Sequence, residues 1–270
     1  MKQAVEDFLY KKVIRNILLM SKLGRQSVLG EASTGYNFDH MYTNKPAGYL
    51  GIGRIVDYIL LHLPAVKATR ARKKNIVATL TDEIAQRKKA GKVTRVMDVA
   101  CGAGRYLAEL DAKFKESDIE IIGIDYDSKS LMLGGTIAKS YNISEKSMRF
   151  LKGNIFRLEH LKRLGAKIEW CPDIIIASGL VEYLDDNVVR DVFGQIYEAL
   201  EESGLFLFVS QQNNPSRKLM EKVGTTKDGP WILHYRRPSV LCDWLRGAGF
   251  KDIRFQTDQW GMYDLFTVRR

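Results

Sequence analysis

Apolar residues recur every three to four positions in the first part of the chain. Between residues 3 and 23, Val5, Leu9, Val13, Ile17 and Met20 form a stripe widened by Phe8, Ile14 and Leu18, with Lys11, Lys12, Arg15 and Lys22 on the polar side. This predicts an amphipathic helix with a cationic face, suited to packing on a core or to lying on a membrane surface or over a substrate. The stretch 30–53, GEASTGYNFDHMYTNKPAGYLGIG, is too polar and too punctuated for a regular element and reads as a loop. Its Tyr36, Phe38, His40, Tyr42 and Tyr49 suit a lid over a pocket, or anchors that tie the loop to the core. Residues 52–63 read as a short amphipathic helix ended by Pro64, followed by the basic stretch Lys67, Arg70, Arg72, Lys73 and Lys74. A helix over 75–90 buries Ile76, Leu80 and Ile84, carries Arg87, Lys88 and Lys89 in its last turn, and ends at Gly91.

From Val93 the pattern changes. Short apolar runs at 93–99, 119–125, 148–151, 173–177, 205–210, 253–256 and 263–268 predict strands, separated by helical stretches after Gly104 and over 128–140, 188–200 and 238–248. Continuous apolar strands alternating with helices indicate an α/β fold, a doubly wound, mostly parallel seven-stranded sheet of Rossmann-like type covered on both faces. The expected organisation is a helical appendage with its lid over 1–91 and an α/β domain over 92–270.

Composition adds bounds. The 270 residues can bury a substantial core, and 45% hydrophobic with 27% charged residues is a globular composition. A formal net charge of +10 suits an anionic partner such as nucleic acid, a phospholipid surface or an acidic substrate. Cys101, Cys171 and Cys242 are widely spaced and show no metal-ligand or disulfide pattern, so no metal is expected and a reducing cytoplasm fits. Asp7 and the Lys11–Lys12 pair interrupt the N-terminal apolar residues, which argues against a secretion signal, and no apolar run reaches the roughly 20 residues of a membrane span.

The chemistry centres on VTRVMDVACGAGRYL, residues 93–107, which reads as a buried strand, a glycine turn and a helix start. Glycines let a ligand approach the backbone, and the helix start offers N–H groups. Leu107 stands where a dinucleotide fingerprint has its third glycine, and no GxxxxGK[ST] marks a triphosphate loop. Asp125 ends the second strand about 20 residues on, placed to accept ribose hydroxyls, and Asn154 follows the third strand, facing an adenine edge. With Ser178-Gly179-Leu180 after the fourth strand, these strand ends suit an adenosine carrying a short charged tail.

The sequence resembles the class I S-adenosylmethionine-dependent methyltransferases. VMDVACGAGRYL, GIDYDSKSL, FLKGNIFRL and PDIIIASGLVEYL are similar to their first four motifs, and GLFLFVSQQNN, GAGFKDIRF and YDLFTVRR to the segments that follow. The resemblance implies that Asp98, Ala100, Cys101, Gly102 and Gly104 surround the methionine end and sugar of the cofactor, and that Asp125 and Tyr126 meet the ribose side. It also implies that Asn154 and Ile155 lie against the adenine, with Ser178 nearby, and that S-adenosylhomocysteine is the product. STGYNFDHMYTNKPAGYLGIGRIVD, DGPWILHYRRPSV and DQWGMYD extend the resemblance to a bacterial group of methyltransferase domains that occur alone or fused to an α/β-hydrolase.

Methyl transfer from a sulfonium is an in-line substitution that needs alignment and exclusion of water more than a triad or metal. If the acceptor is protic a base helps, and Glu182, Tyr183, His234 and His40 are the candidates. Tyr36, His40, Tyr42, Arg236 and Arg237 are candidate acceptor contacts, with the arginines suited to an acidic group. Asp185–Asp186 reads as a helix N-terminal charge pair. The expected acceptor is a small molecule or lipid, with peripheral contact to an anionic membrane as a partner reading. A nucleic-acid (RNA) methyltransferase and a non-catalytic S-adenosylmethionine-binding protein are the competing readings.

Overall fold

The computed structural model describes residues 2–153 and 171–270. The chain divides into two compact units, Met1–Ala71 with Asn213–Leu233, and Arg72–Gln212 with His234–Arg270. The division differs from 1–91 and 92–270 in two places. It falls inside a helix rather than at Gly91, and residues 213–233 belong with the N-terminal segment.

In the larger unit the strands are β1 (Thr94–Asp98), β2 (Ile119–Asp125), β3 (Met148–Lys152), β4 (Ile174–Ala177), β5 (Leu205–Gln211), β6 (Lys251–Thr257) and β7 (Tyr263–Arg269). They form one seven-stranded sheet in the order β3-β2-β1-β4-β5-β7-β6, parallel except where β7 runs antiparallel to both neighbours. The centre of the sheet follows from near-continuous apolar runs, since β4 and β5 are buried at every residue, whereas the edge strands β3 and β6 carry charged and exposed positions. Phe193, Phe206, Phe208 and Phe266 fill one side of the core, with the Phe208 and Phe266 rings stacked at 4.6 Å. The order reverses at β1, which has β2 on one side and β4 on the other, and the crevice at such a reversal is where α/β sheets hold ligands.

The smaller unit is helical: α1 (Lys2–Phe8), a π-helical stretch Leu9–Ile14, α2 (Arg15–Leu18), α3 (Lys22–Val28), α4 (Gly35–Thr43), α5 (Leu50–Leu61) and the start of α6 (Pro64–Lys89). The expected loop over 30–53 is therefore mostly helix. Thr34 caps α4 by accepting from the Asn37 N–H, and Asn44 closes it in the left-handed region at φ 51°. Its polar character misled the reading because Asn37, Asp39 and His40 are themselves buried. Asp57 in α5 explains why: its carboxylate accepts from the Leu23 and Ala47 N–H groups at 2.7 and 2.8 Å and pairs with His40 Nε2 at 2.8 Å. On the same inner line, a Cβ on Gly53 would lie 2.3 Å from the Met20 carbonyl oxygen, so α5 is seated at backbone contact. Residues 213–233 join this unit because Leu219 and Val223 of the helix Arg217–Val223 pack with Leu18 and Val28.

Pro64 starts a 26-residue helix instead of only ending one, which suits a residue with fixed φ and no N–H. The basic stretch 67–74 lies inside α6, whose stripe Ile76, Leu80 and Ile84 is fully buried.

Candidate active site

β1 ends in Asp98, which has no exposed surface. Its Oδ1 accepts from the Ala100 N–H at 3.0 Å, and its Oδ2 is buried with no hydrogen-bond partner among the described residues. Burial pushes this carboxyl well above the usual range, and the charge of Asp125 adds to the effect. The chain then turns through Ala100–Gly104, tied to its neighbours by Val99 N–H to Ile176 O and Cys101 N–H to Ile124 O, both at 3.0 Å. Gly102 and Gly104 take φ of 56° and 59°, the left-handed region open to glycine. Gly104 also has no room for a side chain, since a Cβ would meet the Phe150 ring at 2.7 Å. The helix α7 (Arg105–Asp111) follows, with Leu107 turned wholly into the core.

Asp125, at the end of β2, bridges two turns. Its Oδ2 accepts from the Gly102 N–H and its Oδ1 from the Asp127 N–H, each at 2.8 Å. Burial raises its pKa despite these bonds. Each oxygen retains a lone pair, so the carboxylate can still take hydroxyl donors. Tyr126 beside it is half exposed. The Cys101 thiol is buried and pushed up by that burial and by Asp98, which makes it a packing group. Asn154 and Ile155, the expected adenine contacts, lie outside the described residues.

A second set of groups follows β4. Ser178 Oγ is buried without a partner among the described residues, and Val181–Tyr183 form a 3-10 turn that buries Glu182 to 1% exposure. Glu182 Oε1 accepts from Gln211 Nε2 at 3.3 Å, whereas Oε2 has no partner among the described residues. Burial raises this carboxyl, against the opposing positive charge of Arg72 and Arg236. The Arg72 guanidinium lies over the Tyr263 ring at 4.8 Å and close to Gly179, where an added Cβ would come within 3.4 Å of it.

Several candidates have internal work. Arg236 is buried and donates to Asp186 Oδ1 at 2.9 Å and to the Val181 carbonyl at 2.8 Å, with a further bond to Leu184 O. It clamps the turn that carries Glu182, so the expectation that its guanidinium meets an acidic substrate group is corrected. His40 is likewise engaged by Asp57 inside the smaller unit, which removes it as base and as acceptor contact. Tyr36 and Tyr42 are half-buried on α4 in that unit. His234 is joined to Glu182 through its backbone N–H, at 2.8 Å, while its ring reaches Asp185 at 3.4 Å and is partly exposed. Asp185 and Asp186 stand at the start of the helix Asp186–Ala199 as expected. Arg237 is exposed.

Sequence reasoning passed over Arg72, Gln211, Tyr106 and Ser210. Arg72 sits one turn before Ile76 on the buried stripe of α6, and that spacing was the available signal. Gln211 ends the apolar run of β5, as Asp98 and Asp125 end theirs. The Tyr106 and Ser210 hydroxyls are buried with no partner among the described residues, and nothing in the sequence marks them.

These features fit S-adenosylmethionine. A fully buried carboxylate oxygen lacking a donor suits an ammonium group, Asp125 suits a ribose diol, and the glycine turn admits a ligand to the backbone.

A family described as "Putative methyltransferase" matches residues 1–270. The chain belongs to that family. It is 30% identical over 242 residues to the uncharacterized protein YnbC of Escherichia coli, covering 88% of this chain and 40% of that one. It is also 27% identical over 114 residues to "Putative methyltransferase GWCH70_2453" of Geobacillus, covering 42% and 41%. The methyltransferase chain thus spans about two fifths of the length of each curated relative. Among solved structures it is similar to a "possible exported protein" of Bordetella parapertussis, with a TM-score of 0.73 at 20% identity over 94% of this chain and 85% of that one. It is also similar to magnesium protoporphyrin IX methyltransferase from Synechocystis with bound S-adenosylhomocysteine, at 0.60 and 11% over 91% and 99%. These likenesses establish the fold, a Rossmann-like methyltransferase sheet preceded by helices. The chain thus combines membership of the "Putative methyltransferase" family with a Rossmann-like methyltransferase fold.

Proposed function

We propose that this methyltransferase transfers the methyl group of S-adenosylmethionine to a small-molecule acceptor carrying a hydroxyl or amine. The observation that carries the reading concerns Asp98 at the end of β1 and Glu182 after β4, the neighbouring strands at the sheet's reversal. Both are fully buried carboxylates with one oxygen lacking a donor among the described residues, a property they share with Asp264 on β7. Buried acceptors are normally satisfied, and those left open in a cleft of an enzyme fold await a ligand. When bound, S-adenosylmethionine supplies a methyl group already activated as a sulfonium. Asp98 and the 100–104 turn hold the amino-acid end, and Asp125 and Tyr126 hold the sugar side. Glu182 Oε2 takes the proton that the acceptor's hydroxyl or amine loses as it gains the methyl group, and burial raises the pKa of this carboxyl. Gln211 and the Arg236 clamp orient it, and the positive charge of Arg72 limits the rise in its pKa.

Magnesium protoporphyrin IX methyltransferase and an O-methyltransferase family protein from Burkholderia thailandensis share the fold and support a small, oxygen-bearing acceptor as the first class to test. The test is transfer of a tritiated methyl group to small-molecule, lipid, RNA and protein fractions of a cell extract. Label in an extractable small-molecule fraction, lost in Glu182→Gln, is the expected result. Label in RNA alone would contradict it.

A further inference from the structure

Helix α5 is turned inside out. Gly53, Asp57 and Leu61 face inward, whereas Ile52, Ile55, Tyr58 and Ile59 face solvent, continuing the exposed Tyr49 and Leu50 at its start. Leu50 is 87% exposed, and the three isoleucines are each more than half exposed. The rotation is fixed, because Gly53 abuts the Met20 carbonyl and Asp57 is held by donors from three directions. α5 cannot roll to hide its apolar face. The N-terminal helical run adds Phe8, Leu9, Val13 and Ile17, all exposed. It adjoins α5: Leu60 packs in one cluster with Ile14 and Leu18, and the Tyr49 N–H donates to Met20 O at 2.9 Å. Contiguous apolar surface of this kind marks a contact site.

Charge identifies the occupant. The smaller unit holds 14 Lys and Arg against 7 Asp and Glu, most of the protein's net +10. The one acid of α5 is the buried Asp57, and Arg54 stands on its exposed side. Glu6 and Asp7, the acids of the N-terminal run, are paired with Lys218 and Lys222, while Lys11, Lys12 and Lys22 are exposed. A second copy meeting this face isologously would set like charges against each other. An anionic bilayer complements both features, the isoleucines at the acyl boundary and the cations at the headgroups. We infer that the α5 face, with the N-terminal helix, seats the protein peripherally on an anionic lipid surface. Among the described residues no helix is long and apolar enough to cross a membrane.

The inference is independent of the proposed reaction, and its test reads lipid binding alone. The protein is sedimented with vesicles of mixed phosphatidylglycerol and phosphatidylcholine, and with phosphatidylcholine alone. The wild type should bind the anionic vesicles and weaken as salt rises. The exposed-face variant Ile52→Ser/Ile55→Ser/Ile59→Ser should lose about tenfold or more of that binding, and Lys11→Glu/Lys12→Glu a smaller factor, both with unchanged S-adenosylmethionine affinity. A wild type left in the supernatant, or a triple isoleucine variant that binds as well as it, overturns the inference. So does a wild-type dimer in sedimentation velocity that the same variant converts to monomers, since that assigns the face to a second copy.

Discussion

Each unit of this protein buries carboxylates, and the two units treat them oppositely. Asp57 in the helical unit is wholly buried, yet both of its oxygens are occupied by donors from α3, α4 and the segment before α5. Burial raises its pKa, but the bonds from His40, Ala47 and Leu23 outweigh it and leave the carboxyl below its ordinary value. Asp98 and Glu182 in the sheet unit are as deeply buried, but each keeps an oxygen without a donor among the described residues, and burial wins. Depth alone therefore does not mark a functional acid. An unfilled acceptor position at the sheet's reversal sets Asp98 and Glu182 apart, because folding has left there a desolvation cost that a ligand can relieve.

The contrast can be broken by substitution. The largest stability loss should come from Asp57→Ala, about 3–5 kcal/mol in urea unfolding, because it strands His40, the buried Leu23 N–H and the part-buried Ala47 N–H. A loss within about 0.5 kcal/mol, as at an ordinary surface site, would mean that Asp57 does not organise its unit. Glu182→Gln should lower kcat about 10²–10⁴-fold with the fold and cofactor affinity kept, as expected when a proton acceptor is removed. An unchanged kcat would leave Glu182 a buried bystander. The clamp acts through another residue, so Arg236→Met should cost less, roughly tenfold in kcat, with the acid limb of the pH profile shifted.

Acidity sharpens the same comparison. Asp57 has a depressed folded pKa, so its stabilisation is present above its unfolded value and is lost as pH falls through the lower folded value. Asp98 and Glu182 have raised folded pKa values, so stability falls as pH rises from their unfolded values toward their folded ones. The melting-temperature gap between wild type and Asp57→Asn should therefore narrow below about pH 4. Asp98→Asn should be neutral or stabilising, by about 1 kcal/mol, at neutral pH, and that gain should vanish in acid. A uniform destabilisation by Asp98→Asn at every pH would mean that its carboxylate is satisfied after all.

The two units were not equally legible. The sheet's centre was readable because β4 and β5 are near-continuous apolar runs, and Asp98, Gly102 and Asp125 were readable because each stands at a strand end or its turn. The helical unit was opaque, since its organising contacts join Asp57 to Leu23 and His40, 34 and 17 residues away. The polar residues that made 30–53 look like a loop are buried partners in that network. Arg72 was hidden in a basic run that reads as a solvated face, although its spacing from Ile76 places it on the buried stripe. The outward direction of the α5 isoleucines could not be read at all, because sequence shows an amphipathic helix but not which side a distant glycine and aspartate hold down.

The sheet unit's open carboxylates are the proposed ligand site. The most direct test of that site is calorimetric titration of S-adenosylmethionine into the wild type and into Asp98→Asn and Asp125→Ala, each checked for an intact fold. Saturable binding by the wild type, weakened about tenfold or more in both variants, is the result expected if one lost charged hydrogen bond contributes roughly 1.5–3 kcal/mol. Equal affinity in all three proteins would contradict it.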